Sequence, residues 1–564
     1  MGRPVFITSE PIPPHQRAVH GFTGPASHYE RAPGDALRQL PANYRRREPE
    51  KTALHALVRR HLETLLAQAR QASADGSGYP AFVEKEFRRY LDCGILANGF
   101  ARLRCPSCGF ERLVAFSCKG RLCPSCWAKR AADTAAHLVD RVLPEATYRQ
   151  WVLTFPWEAR LFIAIDRQLL SDLLRDFLRT IFAWQRRRGR LAGFTDGHCG
   201  AVTFVQRFGG ALNTNPHFHV LIPDGLFTPA AGKGDLPVKD DRARFVPLPP
   251  PTNEDIAHLT ATIAARLMKR LREMIGEARK SDADCDETPE ASLLHRAVQL
   301  ALWLPRSGPP GEDTTASDHG SDSPKPLCAK VEGFSLHAFR TVAPHDRTGL
   351  EQLCRYGLRA PFALDRISIA PDGNVLYQLH RPWPKPDSTR THLTFEPVTF
   401  LRRLAALVPS PYQNLIRYHG VFANRSRLRP LLPSPPGAPL AGTASETPQA
   451  ESAPAPPPAL AQPPKRHRYS WAHQLKRSLH VDALVCPKCA ALLRVLAFLS
   501  IPAVVTKILD HLRLPSSAPT LAPARMHEDE FPLLDTEFAG DDFDEPSRKT
   551  PGLATTARPG RGPP

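Results

Sequence analysis

Apolar residues recur at helical spacing in several separate stretches of the chain. After Thr52, leucine and valine return every three or four residues, and the stretch from Asp166 to Arg187 repeats the pattern with leucines and Phe177 on one side. These stripes predict amphipathic helices whose apolar sides face a core. Shorter helices are predicted near 255–275, 400–407 and 503–512.

Other stretches are rich in apolar and β-branched residues and predict strands. Residues 201–208 and 215–222 are two of them, joined by a glycine-containing turn and ended by the turn-forming Pro223-Asp224-Gly225. A further strand is predicted at 151–155 and a hairpin at 366–384. Together these elements favour an α+β fold in which helices cover an antiparallel sheet.

Composition divides the chain further, because some stretches are rich in proline and polar residues and lack apolar periodicity. The predicted parts are a disordered segment at 1–50, a helical and cysteine-rich domain at 51–135, a large domain at 136–428 with an internal loop near 307–326, a proline-rich linker at 429–465, a small module at 466–515 and a disordered tail at 516–564.

Six of the twelve cysteines crowd between positions 93 and 126 in the spacing of metal ligands. Cys105-Pro106-Ser107-Cys108 and Cys123-Pro124-Ser125-Cys126 each place two thiolates on one Zn²⁺, so together they predict one tetrahedral structural site. Cys93 and Cys118 are surplus to it. A second site, replacement of one ligand and buried thiols are the alternatives for this pair, and we favour buried thiols.

The carboxyl-terminal module contains one more such pair, Cys486-Pro487-Lys488-Cys489. A single pair supplies half of a zinc site. Either His480 and another residue complete it, or the pair has no metal role, and the sequence favours neither alternative.

The chain carries a formal net charge of +18, which indicates a polyanionic partner. Part of this charge surrounds the cysteines, where Lys119 and Arg121 are candidates for contacts with DNA phosphates, and a solvated basic face is the alternative. No apolar run of about 18 residues and no cleavable amino-terminal signal is evident, so we expect a soluble cytoplasmic protein with no membrane partner.

His217 and His219 stand two positions apart in a predicted strand. Side chains alternate between the faces of a strand, so both imidazoles lie on one face and Phe218 lies on the other. Two imidazoles on one face can hold a divalent metal. A chance pair of surface histidines is the alternative.

Tyr356 lies in a predicted helix that Asp346 can cap and that Pro361 stops. At helical spacing Tyr356 falls on the same side as Gln352 and Arg359, away from the apolar side. That apolar side consists of Leu350, Leu353, Cys354 and Gly357.

The Tyr356 hydroxyl can attack a phosphodiester, while Arg355 and Arg359 bind the flanking phosphates and a metal on the two histidines polarises the phosphoryl oxygen. A phenolate also leaves readily in the reverse step, which suits reversible strand transfer. An exposed tyrosine that packs through its ring is the alternative.

Several stretches of the sequence carry a resemblance to a known family. They are Gly200–Phe208, Asn215–Gly225, Leu353–Tyr356 with Arg359 and Pro361, Tyr418–Phe422, and the cysteines at 93, 105, 108, 118, 123 and 126. The first four resemble the HUH rolling-circle transposases of the insertion sequence ninety-one type, and the cysteines resemble that family's zinc-binding domain.

The resemblance implies an antiparallel-sheet HUH nuclease domain behind a helical, zinc-ribbon-like domain. It implies a metal-dependent single-strand DNA endonuclease and strand transferase that forms a covalent 5′-phosphotyrosine through Tyr356, with Mg²⁺ or Mn²⁺ on His217 and His219 and structural Zn²⁺ on the cysteines. The implied partners are single-stranded DNA at the element ends and target DNA. The implied location is the bacterial cytoplasm, in association with the nucleoid. Homo-oligomerisation stays open.

One position departs from the family pattern. Many members carry a second catalytic tyrosine four residues before the first, where this chain has Gln352. The chain therefore resembles a single-tyrosine branch, in which Tyr356 acts twice or a second subunit contributes. A third metal ligand is also expected, and Gln206 is preferred over Gln352 from the hairpin geometry.

Other functions use only part of these features. A relaxase or plasmid replication initiator shares the chemistry, but the zinc module favours a transposase. A non-catalytic zinc-ribbon DNA-binding protein leaves His217, His219 and Tyr356 without a task, and a small-substrate metallohydrolase leaves Tyr356 without one.

Overall fold

The structure is a computed structural model that describes residues 44–229 except 74, 243–282, 326–384, 389–433 with 435, and 470–525 except 480. The loop predicted near 307–326, most of the linker predicted at 429–465 and the amino-terminal 43 residues lie outside the described residues. Among the described helices, none is both long and apolar enough to cross a membrane.

The described helices include those that the apolar stripes predicted. They are α1 (Ala53–Ala72), α2 (Ala81–Asp92), α3 (Pro124–Arg141), α4 (Trp157–Ile165), α5 (Arg167–Leu191), α6 (Asn253–Asp282), α7 (Arg347–Gly357), α8 (Pro397–Leu407), α9 (Trp471–Leu479) and α10 (Pro502–His511). Side-chain caps begin three of the helices that the sequence predicted, because Thr52, Asp166 and Asp346 each accept a backbone N–H of the first turn.

The strands are short and antiparallel. They are β1 (Phe100–Arg104), β2 (Glu111–Ala115), β3 (Tyr148–Thr154), β4 (Gly200–Phe208), β5 (Thr214–Pro223), β6 (Gly225–Thr228), β7 (Arg244–Pro247), β8 (Cys328–Val331), β9 (Phe334–His337), β10 (Thr341–Val342), β11 (Ile367–Ile369), β12 (Val375–Pro384), β13 (Thr389–Phe395), β14 (Ile416–Gly420) and β15 (Arg494–Leu499).

A central sheet organises the middle of the chain. Within the described residues its strand order is β14-β4-β5-β3-β9-β8, with β10 paired to β3, and every pairing is antiparallel. All ten residues of β5 are buried, because this strand has neighbours on both sides and helices on both faces. The predicted α+β class with an antiparallel sheet is confirmed.

The two faces of β5 belong to different layers. Phe218 packs edge-on against Phe155 and stacks on Phe177 of α5, in a core that α6 completes. The other face packs against α3 and α7 through a second core that includes Phe204 and Leu221. His217 and His219 share that second face, which the alternation of side chains along a strand requires.

Helix α7 approaches the sheet very closely at its last residue. A Cβ atom at Gly357 would lie 2.5 Å from Cδ2 of Phe204 on β4, which is far inside van der Waals contact. The apolar side predicted for this helix is confirmed, because Leu350, Leu353, Cys354 and Gly357 are all buried. Glycine at this position therefore sets how near Tyr356 comes to the sheet.

A smaller sheet joins the two ends of the described chain. Its order is β15-β1-β2, so a strand from the carboxyl-terminal module lies beside the strands that surround Cys105 and Cys108. Helix α10 covers this sheet, where Val505 and Leu509 pack against Leu96 and Phe100.

A third core joins the amino-terminal helices to the β11-β12-β13 sheet. Apolar residues of α1, α2 and α8 are buried together with side chains of this sheet. Cys93, Cys123 and Cys126 lie at the edge of the same core, which places the cysteines between the helical domain and the rest of the chain.

Substitution of Gly357 by alanine should destabilise the protein by about 1–3 kcal/mol, because the new methyl group would push α7 away from Phe204. Helix propensity alone predicts the opposite sign, since alanine is favoured over glycine in helices. Thermal unfolding measures the change. Gly210→Ala is the matched control, because a Cβ there meets no atom within 4 Å. Equal stability of the two variants would contradict this packing.

Candidate active site and cysteine clusters

The two histidines lie side by side in the middle of the central sheet. His217 and His219 are 1% and 3% exposed, and their ring centroids are 5.0 Å apart. The neighbouring strands place Thr154 and Gln206 directly opposite His217. The pair is therefore enclosed by the sheet, which differs from a chance pair on the surface.

Each imidazole has one nitrogen engaged and one free. His217 Nδ1 donates to the Asn215 carbonyl at 2.8 Å, and His219 Nδ1 lies 3.0 Å from the side-chain amide of Gln150. Both Nε2 atoms are buried without a hydrogen-bond partner. A metal can bind His219 Nε2 only when the ring proton is on Nδ1. In that tautomer Nδ1–H donates to the side-chain oxygen of Gln150, which requires the amide to be turned so that its oxygen faces the ring.

Both histidines are neutral at neutral pH. Burial lowers the pKa of His217 to about 4, with further lowering by the positive charges of Arg359 and Arg160. The pKa of His219 lies well below its usual value, first because of burial and then because of His217 and Arg359. Neutral imidazoles with free Nε2 atoms are the form that binds a divalent metal.

Gln206 connects the histidines to α7. It is 2% exposed, and its Nε2 donates to the carbonyls of Tyr356 and Gly357, each at 3.1 Å. Its Oε1 is buried without a hydrogen-bond partner. Gln352, the other ligand that the sequence offered, is exposed on α7.

The structure brings Tyr356 to the histidines. Its ring meets the ring of His219 edge-on with 5.6 Å between centroids, and the side chain remains 40% exposed. The Arg359 guanidinium carbon lies 4.8 Å from the centre of the Tyr356 ring. A tyrosine, two histidines and an arginine therefore lie together, and the tyrosine side chain reaches solvent.

Arg355, which the sequence predicted as a DNA contact, has partners within the chain. Its guanidinium is half-buried, pairs with Glu351 one turn earlier, and donates to the Ser478 hydroxyl at 3.0 Å. Residues four apart on a helix face each other, which makes this internal ion pair more favourable than extension toward the site. Of the two arginines predicted on this helix, Arg359 alone contacts Tyr356 through a described ring contact.

Lys119 and Arg121 lie beside the first cysteine cluster. Lys119 is exposed, whereas Arg121 is half-buried and donates to the Ser410 carbonyl at 3.0 Å. The exposed side chain of Lys119 is therefore accessible, as its predicted phosphate contact requires. Arg121 joins the amino-terminal domain to the segment after α8.

Among the described residues the cysteines form two clusters, where the sequence predicted one. The first consists of Cys93, Cys118, Cys123 and Cys126, and the second of Cys105, Cys108, Cys486 and Cys489. The predicted single site of Cys105, Cys108, Cys123 and Cys126 is therefore corrected. The two pairs sit in different secondary structure: Cys123 caps α3, whereas Cys105 follows β1 in a hairpin.

The first cluster has the features of a structural zinc site. Its sulfur atoms lie within 4.8 Å of one another, and three contacts involving Cys93 and Cys126 measure 3.5–3.6 Å. Arg47 donates to the Cys93 sulfur at 3.2 Å, and the Gly120 amide donates to the Cys118 sulfur at 3.2 Å. Such hydrogen bonds stabilise thiolates that bind metal. The preference for Cys93 and Cys118 as plain buried thiols is thus also corrected.

Comparison with protein families matches two stretches of the chain. The model described as a transposase zinc-binding domain, of the insertion sequence ninety-one type, matches residues 58–155, and the model described as a putative transposase matches residues 200–429. The chain belongs to the insertion sequence ninety-one family of transposases. No curated protein and no solved structure matches this transposase.

The zinc-binding domain of the transposase contacts the helix that carries Tyr356. Cys123 and Cys126 lie at the start of α3, and Nε1 of Trp127 in the same turn donates to the Leu358 carbonyl at 2.7 Å. The Leu358 carbonyl lies just past the end of α7, where backbone acceptors lack helical partners. Metal bound at the first cluster would therefore fix one side of the active site.

Sequence reasoning missed Gln150, Trp127 and Arg47. Each acts through a contact between segments that are far apart in the chain, so no local pattern identifies it. It also left the second half of the Cys486 and Cys489 site unassigned. Its candidate His480 lies outside the described residues, and the structure supplies Cys105 and Cys108 instead.

Substitution of Cys93 by serine should remove one equivalent of zinc from the purified protein, because a hydroxyl is a poor replacement for a thiolate ligand. Elemental analysis of zinc per chain measures the loss. Cys328→Ser is the control, since Cys328 lies on β8, outside both clusters. Unchanged zinc content in the Cys93 variant would show that this cysteine is not a ligand.

Proposed function

We propose that the transposase cleaves and rejoins single-stranded DNA at element ends in rolling-circle transposition, with Tyr356 as the nucleophile. The observation that carries the proposal is the contact of the Tyr356 ring with His219, 5.6 Å between centroids, beside two buried Nε2 atoms that lack partners. A structural tyrosine would not need a pair of unsatisfied imidazoles at its edge.

The residues present fit a divalent metal. His217 Nε2, His219 Nε2 and Gln206 Oε1 would hold Mg²⁺ or Mn²⁺, because all three atoms are buried without a hydrogen-bond partner and Gln206 is directly opposite His217 in the sheet. When bound, the ion polarises a phosphoryl oxygen and offsets charge that develops on it. The amide oxygen is a donor type that Mg²⁺ and Mn²⁺ prefer, and water would complete the coordination shell of either ion.

Cleavage is a single exchange at phosphorus. The Tyr356 oxygen forms a bond to the phosphorus, the bond from phosphorus to the 3′ oxygen breaks, and the 5′ end remains attached as a phosphotyrosine. The phenol loses one proton to solvent, to which this half-exposed side chain is open, and the departing 3′ oxygen takes up one proton. No net hydrolysis occurs, so the bond energy is kept for rejoining.

Arg359 would hold the phosphate in place. Its guanidinium stacks on the Tyr356 ring and also contacts the Phe208 ring, 5.4 Å from the ring centre, so its position is fixed before DNA binds. A guanidinium pairs with two phosphate oxygens at once. This geometry would place the scissile phosphate between the tyrosine and the histidines.

Rejoining would reverse the exchange. A free 3′ hydroxyl attacks the phosphotyrosine, the bond from phosphorus to the phenol oxygen breaks, and Tyr356 is regenerated. Gln352 occupies the position of a second tyrosine and cannot form a second link. Two successive links would thus require Tyr356 to act twice or a tyrosine from a second copy of the chain.

Other functions fit less of the site. A non-catalytic zinc-ribbon protein would explain the cysteines but not the enclosed histidines, and a small-substrate metallohydrolase would not need Tyr356. A relaxase or replication initiator would use the same residues, but both matched family models describe transposase domains.

Substitution of Tyr356 by phenylalanine should abolish the covalent protein–DNA adduct and strand cleavage while DNA binding is kept, because only the attacking oxygen is removed. Denaturing gels of labelled single-stranded element ends incubated with Mn²⁺ reveal the adduct. Tyr412→Phe is the matched control, since that tyrosine is 91% exposed. An adduct formed by the Tyr356 variant would refute the proposal.

The metal ligands can be tested by titration of Mn²⁺ in the cleavage assay. His217→Ala should abolish cleavage, and Gln206→Ala should raise the Mn²⁺ concentration for half-maximal cleavage by about tenfold or more. Gln352→Ala should leave that concentration unchanged, because Gln352 is exposed on α7. The reverse order of the two glutamine variants would assign the third ligand to Gln352.

A further inference from the structure

The pair Cys105 and Cys108 has the same backbone conformation as the pair Cys486 and Cys489. In each pair the backbone amide of the first cysteine donates to the carbonyl five residues later, at 2.8 Å for both Cys105 and Cys486. The amide of the residue after the second cysteine donates to the carbonyl of the first cysteine, at 3.1 Å for Cys105 and 3.0 Å for Cys486. The residue after the second cysteine has positive φ in both, 72° at Gly109 and 59° at Ala490.

The four sulfur atoms of these pairs converge. Cys105 Sγ lies 3.4 Å from Cys489 Sγ, Cys108 Sγ lies 3.6 Å from Cys486 Sγ, and all four fall within 4.8 Å of one another. A disulfide would need about 2 Å. Four thiolates about 2.3 Å from one Zn²⁺ in a tetrahedron are roughly 3.8 Å apart, which is close to the separations found.

We propose that Cys105, Cys108, Cys486 and Cys489 form a second structural zinc site that joins the carboxyl-terminal module to the zinc-binding domain. Neither matched family stretch, 58–155 or 200–429, reaches the second cysteine pair. Each pair alone is half a site. The metal can therefore bind with four sulfur ligands only when the carboxyl-terminal module lies against the zinc-binding domain.

The surroundings of the site are built by both ends. β15 pairs with β1 from Phe100 opposite Leu499 to Arg104 opposite Arg494. A small apolar core under the cysteines also takes residues from both segments, Leu103 from one and Leu493 from the other. This core is small, and short segments with little core commonly depend on metal for their folding.

The site also has a consequence for the helix that carries Tyr356. Seven residues before Cys486, α9 ends, and its Arg477 contacts Asp140 of α3 at 2.5 and 2.9 Å and Glu351 of α7 at 2.6 and 3.0 Å. Ser478 of α9 accepts the hydrogen bond from Arg355. Zinc at the second site would therefore help to hold α9 against α7.

Zinc content tests the assignment without use of the DNA reaction. The unaltered full-length protein, purified under reducing conditions, should contain two zinc ions per chain. Cys105→Ser and Cys486→Ser should each contain one, and the variant with both substitutions should also contain one, because both residues serve the same ion. The Cys93→Ser/Cys486→Ser variant should contain none.

Several results would overturn the proposal. One zinc per chain in the unaltered protein would do so, as would two in Cys486→Ser, or a greater loss in the Cys105→Ser/Cys486→Ser variant than in either single variant. Cys328→Ser is the control and should keep both ions. Because these are metal measurements, failure of DNA cleavage by Tyr356 would leave their outcome unaffected.

Hydrogen exchange tests the link to α7 and guards against global unfolding. In Cys486→Ser, peptides from β15, α9 and α7 should exchange faster than in the unaltered protein, while peptides from α5 and β5 should exchange at the same rate. Faster exchange throughout would mark unfolding, and then the zinc count of the unaltered protein decides. Unchanged exchange in β15 and α9 would contradict the proposal.

Discussion

The side-chain amide of Gln206 joins the two parts of the candidate site, the central sheet and α7. Its nitrogen donates to the last two carbonyls of α7. Its oxygen is buried without a hydrogen-bond partner, and Gln206 lies directly opposite His217 in the sheet. The carbonyls at a helix end need partners from outside the helix. Because the sheet supplies that partner, the position of Tyr356 is tied to the strand that faces the histidines, and Gly357 removes the side chain that would keep them apart.

Three buried polar atoms of this site have no hydrogen-bond partner within the described structure. Two imidazole nitrogens and one amide oxygen are buried without partners, and each such group costs about 1–3 kcal/mol. Such a cost is typical of functional sites rather than of cores. Arg359 adds positive charge next to neutral imidazoles, so the site as it stands favours an anion and disfavours protonation of the histidines.

Local periodicity was sufficient to predict which side chains of the candidate site lie together. Alternation along β5 placed His217 and His219 together, and helical spacing separated Tyr356 from the apolar side of α7. The grouping of the cysteines could not be predicted in this way. The pairs at 105 and 123 have identical letters, C-P-S-C, but Gly109 turns the first into a hairpin and the second continues into α3. Which pairs meet is decided by tertiary packing.

The β15-β1-β2 sheet also dictates an order of events during synthesis. Cys105 and Cys489 are 384 positions apart, so the ribosome must translate the whole central region of the chain before the last strand can reach its neighbours. Domains fold as they emerge, amino-terminal parts first. A nascent chain would thus have a folded central sheet while α7 still lacked its contacts with α9, so the helix that carries Tyr356 gains its last support late in synthesis.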